Sequence, residues 1–204
     1  LLGFRGTPGD VAAAPFAREV QGWIAVHAPV GLAALARLGL PLVTVPYHDP
    51  EVGCPSVVAD NGQGIREAVR HLIVHGHRRI AFIGWLGHPA IAERCQAYRD
   101  ALAESGLPCP SELIVGVEDG SIASGRSGAE QLLDGGAVPC TAVVAATDRN
   151  AAGIMQALQA AGLRVPVDVA VVGFDDMAFA QLANPPLTTL RTRFDELGRR
   201  AATL

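Results

Sequence analysis

Short apolar runs, RIAFIG at 79–84, TAVVAA at 141–146 and DVAVVG at 168–173, recur along the chain, separated by longer stretches of helical period. This alternation constrains the fold more than any other feature. Runs of this length and composition read as strands, and repeated strand-helix units imply a parallel sheet. The composition agrees: half of the 204 residues are hydrophobic, yet only 5% are aromatic. Ala, Val, Leu and Gly supply most of that apolar content, as in α/β proteins whose parallel strands are buried on both faces.

The full pattern predicts strands at 1–4, 23–27, 42–46, 56–59, 79–84, 113–117, 141–146, 168–173 and 187–191. Predicted helices span 30–38, 62–75, 90–105, 121–134 and 149–161, with a last one from Asp195 to the end. GLP at 39–41 and 106–108, and GLRVP at 162–166, mark helix stops. There Gly offers a left-handed cap and Pro prevents continuation. Two polar, Pro-rich stretches, YHDPEVGCPS at 47–56 and NPPLTT at 184–189, are the candidate crossings between lobes. If both cross, the middle of the chain forms one lobe and the two ends jointly form another.

A net charge of −4 gives no general attraction to nucleic acid within these residues. Cys54, Cys95, Cys109 and Cys140 lack metal-ligand or C-x-x-C spacing and read as reduced thiols of a cytosolic protein. No apolar run approaches the length that spans a bilayer. The chain opens without Met, inside an apparent strand, and reads as a fragment or processed piece.

Ligands of open parallel sheets sit beyond the carboxyl ends of the strands. WLGHPAIAERC follows the strand at 79–84 and offers Trp85, His88, Glu93 and Arg94. TDRN follows 141–146 with Thr147 and Asp148, and GFDD closes 168–173 with Phe174, Asp175 and Asp176. Arginine and carboxylates pair with vicinal hydroxyls, while an indole covers the apolar face of a sugar ring. Each has a plainer alternative. Asp148 also stands where a helix N-cap would, Asp176 where it would cap MAFAQL, Arg94 on a face shared with Glu93, Arg99 and Asp100, and Trp85 at a packed turn. Glu67, His71 and His75 have the i, i+4, i+8 spacing of helix-borne metal ligands, but nearby arginines oppose a cation, and no metal or other cofactor is predicted. Nucleotide, zinc-protease and serine-hydrolase signatures are missing, so no catalytic residues are assigned and binding is favoured over catalysis.

RHLIVHGHRRIAFIG (70–84), ERCQAYRDALAESGLP (93–108), the segment from PCTAVVAATDRN to VVGFDD (139–176) and NPPLTTLRTRFDELGRRAATL (184–204) together resemble the effector-binding core of the LacI/GalR family of bacterial transcription regulators. The resemblance implies two Rossmann-like lobes with parallel sheets joined by crossover strands, the type I periplasmic-binding-protein-like arrangement. It places the N-terminal lobe, incomplete here, at 1–60 plus 191–204 and the C-terminal lobe at 61–190. It further implies a small effector, often a sugar, held between the lobes, a homodimer, a cytoplasmic location, and DNA contact only through a headpiece missing from this chain.

By the same resemblance Arg94, Asp148 and Asp175 are polar ligand contacts and Phe194 lines the site from the other lobe. Thr147 replaces a customary Asn. Gly120, in EDGS, stands where an aromatic is common, and Trp85 is the candidate replacement. Competing readings are a secreted sugar-binding protein of a transporter, the same sensor fused to a signalling enzyme, and an α/β hydrolase or nucleotide-processing enzyme.

Overall fold

The computed structural model describes residues 19–26, 32–46, 48, 52–134 and 138–204. The chain divides into two compact units, one of residues 1–59 and 193–204, the other of residues 60–192.

The larger unit is a five-stranded sheet with helices on both faces. Its elements are α2 (Asn61–Val74), β3 (Ile80–Gly84), α3 (Pro89–Glu104), β4 (Ile114–Gly116), α4 (Ile122–Leu133), β5 (Ala142–Ala145), α5 (Asp148–Ala160), β6 (Ala170–Asp175) and β7 (Thr188–Arg191). The strands are all parallel and lie in the order β4-β3-β5-β6-β7. Connections run outward in opposite directions from β3 and β5, so a crevice opens between the carboxyl ends of these two strands.

Alternation along each strand sorts the core into two halves. Ile80, Phe82, Ala142, Val144, Val172 and Phe174 pack on one side with α2 and α3, whereas Ala81, Ile83, Val143, Ala145 and Val171 face α4 and α5. Tyr98 of α3 is fully buried, and its hydroxyl is satisfied by the Ile80 carbonyl at 2.6 Å. The helices begin where the sequence offers caps: Asp60, Ser121 and Thr147 accept from the N–H groups of Gln63, Ser124 and Asn150. Gly39, Gly106 and Gly162, the glycines of the predicted stops, have φ of 70°, 65° and 77°. Non-glycine residues adopt this left-handed region at a cost.

Glycine plays a second part between α4 and α5. A Cβ on Gly125 would collide with the backbone of Asn150, and one on Gly153 with the carbonyl of Ile122 and the N–H of Arg126. The two helices therefore meet backbone to backbone, closer than side chains would allow.

In the smaller unit, β1 (Trp23–Val26) pairs in parallel with β2 (Leu42–Val45), in the register Trp23 with Leu42 and Val26 with Val45. The short helix α1 (Leu32–Ala36) connects them. The C-terminal helix α6 (Phe194–Ala201) buries Leu197 and Ala201 against Val43, Val45 and Val57.

Some expected elements are altered. The predicted strand at 56–59 is reduced to a single bridge between Thr44 and Ser56. Pro55 has no N–H to extend the ladder, and Asp60, five residues later, caps a helix. The strand expected at 168–173 instead runs through Asp175, and β4 is shortened because residues 111–113 form a 3₁₀ turn. The predicted strand at 1–4 lies outside the described residues.

The glycine contact makes a prediction against helix propensity. Gly153→Ala should lower stability by about 1–3 kcal/mol through overpacking. Gly198→Ala, in α6 with nothing within 4 Å of an added Cβ, should raise it by about 1 kcal/mol. Urea unfolding of both variants measures the difference.

Candidate functional site

Beyond the carboxyl ends of β5 and β6, the chain buries a charge. Arg94, in the second turn of α3, is only 7% exposed. Its presence on a solvated, salt-bridged helix face is thereby excluded. A buried guanidinium needs partners for its five N–H groups. Nε donates to Asn61 Oδ1 at 2.8 Å and Nη1 to the carbonyl of Ala146 at 2.6 Å. The plane lies over the ring of Phe174, 3.6 Å from its centroid. Asn61 is itself fixed, its amide donating to Glu93 Oε2 at 2.7 Å.

Nη2 is treated differently. Asp175 Oδ1 stands 3.7 Å away, an ion pair beyond hydrogen-bond reach. Among the described residues Nη2 has no hydrogen-bond acceptor. A ligand hydroxyl accepting from Nη2 and donating to Asp175 would satisfy both groups.

Asp175 is the last residue of β6 and has φ of 118°; Asp176 follows with φ of 55°. Two consecutive non-glycine residues at positive φ cost on the order of 1–3 kcal/mol each, a pattern that clusters at ligand clamps. Burial pushes the Asp175 carboxyl up to about 6; Arg94 and a bond from the Thr192 hydroxyl at 3.3 Å pull it down, and Asp148 raises it. On Arg94, burial acts against the charge while Asp175, Glu93 and Asp148 support it. The pair is thus shielded from solvent yet held too far apart for a direct hydrogen bond.

A family model for a periplasmic binding protein-like domain matches residues 69–204. The chain belongs to that family. Over 160 residues it is 41% identical to the HTH-type transcriptional regulator CelR of Thermobifida fusca, covering 78% of this chain and 46% of that protein. A regulatory protein of the LacI family from Chloroflexus aggregans superposes with a TM-score of 0.83 at 29% identity, covering 96% of this chain and 73% of that one. A LacI family transcriptional regulator from Enterococcus faecium, solved with bound ribose, gives 0.79 at 25% identity, covering 96% of this chain and 71% of that one. These likenesses make the chain a LacI/GalR effector-binding core of the type I periplasmic-binding-protein-like fold. It spans about half the length of the curated relatives it matches.

Within this LacI/GalR core the expected site residues separate. Arg94 and Asp175 come together at the carboxyl edge of the sheet, beyond β5 and β6. Asp148 does not open to solvent: it is 0% exposed, Oδ2 accepts from the Met177 N–H at 2.7 Å, and Oδ1 accepts from the Thr189 hydroxyl. Thr147 is the cap, so Asp148 is the first helical residue and packs on Gly173 of β6, where any Cβ would strike its carboxylate. Its carboxylate is engaged in the interior, and its reading as helix cap is corrected by Thr147. Asp176 is also no cap, since Met177 precedes the 3₁₀ turn at 178–182; it pairs with Arg191 at 3.1 Å.

The Thr147 hydroxyl is engaged with Asn150, accepting from its N–H at 3.1 Å and donating to Oδ1 at 3.2 Å. Trp85 is half-buried in the turn after β3, its ring 5.3 Å from that of His88. An added Cβ at Gly120 would meet open space. Phe194 lies in the other unit, 43% exposed. Glu67, His71 and His75 form no three-ligand metal cluster, and none exists among the described residues. Instead His75 Nδ1 bonds to the carbonyl of His71 at 2.8 Å.

Sequence reasoning missed Asn61, Thr189 and Thr192, and saw Phe174 only as a neighbour of the acids. Asn61 directly follows a cap residue, which was the one available hint.

The raised Asp175 carboxyl fixes a pH dependence. Its folded value lies above the ordinary aspartate value near 3.9, so its stabilising contribution is complete below about pH 4 and is lost as pH rises through about 6. By pH 7.5 the ionised form has cost about 3 kcal/mol. Asp175→Asn should therefore be relatively more stable than the unmodified protein at pH 7.5 than at pH 4, by an amount of that order. Equal differences at both pH values in urea unfolding would contradict the burial argument. Arg94→Leu, which orphans the Ala146 carbonyl, Asn61 and Asp175, should lose about 3–5 kcal/mol at neutral pH in the same measurement.

Proposed function

We propose that the chain is the effector-sensing core of a LacI-type bacterial transcription regulator and that it binds a small polar molecule, a sugar or related metabolite. The observation carrying this reading is the Arg94–Asp175 pair, held 3.7 Å apart at the carboxyl edge of a parallel sheet, too far for a direct hydrogen bond. Vicinal hydroxyls have the chemistry to fill such a gap. Support for the regulator class comes from curated relatives that are transcriptional regulators and from a structural neighbour that holds ribose.

In this reading no bond is made or broken and the protein is not an enzyme. The effector acts through unequal affinity for two arrangements of the core, and that difference biases a DNA-binding headpiece carried by the rest of the full-length protein. The protein works in the cytoplasm as a homodimer. No helix among the described residues is long and apolar enough to cross a membrane.

A thermal-shift screen over sugars, nucleosides and small acids tests the assignment. An effector at a hundredfold excess over its Kd should raise Tm by roughly 5–10 °C. Asp175→Asn should abolish that rise, and an undiminished rise would exclude the site. Because only ionised Asp175 accepts two hydrogen bonds freely, affinity should fall by about fourfold between pH 7.5 and 5.5, which calorimetric titration at both pH values would measure.

A further inference from the structure

Arg94 and Asp175 are each held by a second residue, and the two holders occupy corresponding places in the chain. Asn61 accepts from Arg94 Nε at 2.8 Å and is pinned by Glu93 at 2.7 Å. Thr192 donates its hydroxyl to Asp175 Oδ1 at 3.3 Å, and its backbone N–H reaches the Asp175 carbonyl at 3.4 Å. The chain passes between its two units after residue 59 and again after residue 192. Asn61 is the second residue beyond the first passage, and Thr192 is the last residue before the second.

Both holders are buried, at 2% and 8% exposure. Polar side chains are costly there unless hydrogen-bonded. Asn61 is not needed to start α2, because Asp60 caps it. Its amide is therefore free to serve Arg94.

We propose that Asn61 and Thr192 are positioning residues, one for each member of the Arg94–Asp175 pair, and that they connect effector engagement at the pair to both chain passages. Loading Nη2 or the Asp175 carboxylate with a ligand redistributes the hydrogen bonds that Asn61 and Thr192 complete. The effect is delivered at residues covalently next to the two passages. The inference rests on the reading of Arg94 and Asp175 as the effector grip, but it can be tested without a ligand.

The other charged groups around Asp175 are Arg94 from α3, Asp148 from α5, and Asp176, itself paired with Arg191 of β7. None of these is altered by a change at Thr192. Carbon NMR titration of the Asp175 carboxyl in the full chain, assigned with Asp175→Asn, isolates the effect of that hydroxyl. Thr192→Val should raise the midpoint by roughly half a unit or more, while Thr192→Ser should preserve it.

The Arg94 Nε–H signal, assigned with Arg94→Lys, should exchange with solvent about tenfold faster in Asn61→Ala. Asn61→Asp combined with Glu93→Gln, which retains the acceptor for Nε and replaces the lost donor from the other side, should keep it slow and serves as the second variant. Backbone amides at residues 60–62 should exchange faster in Arg94→Lys, and those at 191–193 in Asp175→Asn. An unmoved Asp175 midpoint in Thr192→Val together with an unmoved Nε–H rate in Asn61→Ala overturns the positioning roles. Passage amides indifferent to Arg94→Lys and Asp175→Asn overturn the connection. Intact NMR responses with no effector stabilisation would instead sink the functional reading and leave the positioning roles standing.

Discussion

A guanidinium cannot be removed from water without replacing its hydration, and the carboxyl edge of the larger unit is organised around meeting that requirement for Arg94. The Ala146 carbonyl at the end of β5, Asn61 at the start of α2 and the Phe174 face on β6 converge on one planar group. Three separate elements are thereby brought to a common point. Interactions of a charged donor in a shielded setting are stronger than neutral hydrogen bonds. Asp175, 3.7 Å from Nη2, is the one partner that stays beyond hydrogen-bond reach.

The same edge shows how an acid can be given an interior task. Asp148 and Asp175 are both carboxylates with raised pKa, and burial is the leading cause for each. Their partners divide them. Asp148 has a hydroxyl and a backbone N–H on its two oxygens and so ties α5 to β7 and to the segment that follows β6. Asp175 has one long hydroxyl bond and one long ion pair. Gly173 belongs to the first arrangement, because the Asp148 carboxylate occupies the space where a side chain would stand.

Much of the fold was legible. The strands at 79–84, 141–146 and 168–173 were visible because hydrophobicity at every position is what a sheet covered on both faces demands. Helix ends were visible at Gly39, Gly106 and Gly162 because a positive φ is a local property of the residue. Legibility failed where the outcome depended on a partner far away in sequence. The stretch 56–59 had the composition of a strand but was given only one bridge.

The sequence by itself determined the alternation of strand and helix, the parallel character of the sheet, and the candidacy of Arg94 and Asp175 through their places after strand ends. These follow from local periodicity, strand-end position and family wording. Tertiary structure alone decided that Asp148 turns inward, that Thr147 spends its hydroxyl on Asn150, and that Asn61 and Thr192 hold the two halves of the polar pair. The reason is physical: a side chain's partners are set by which backbones the packed core brings within three or four ångströms. Asn61 and Arg94 are 33 residues apart and Asp175 and Thr192 are 17 apart, separations over which no local pattern announces a contact.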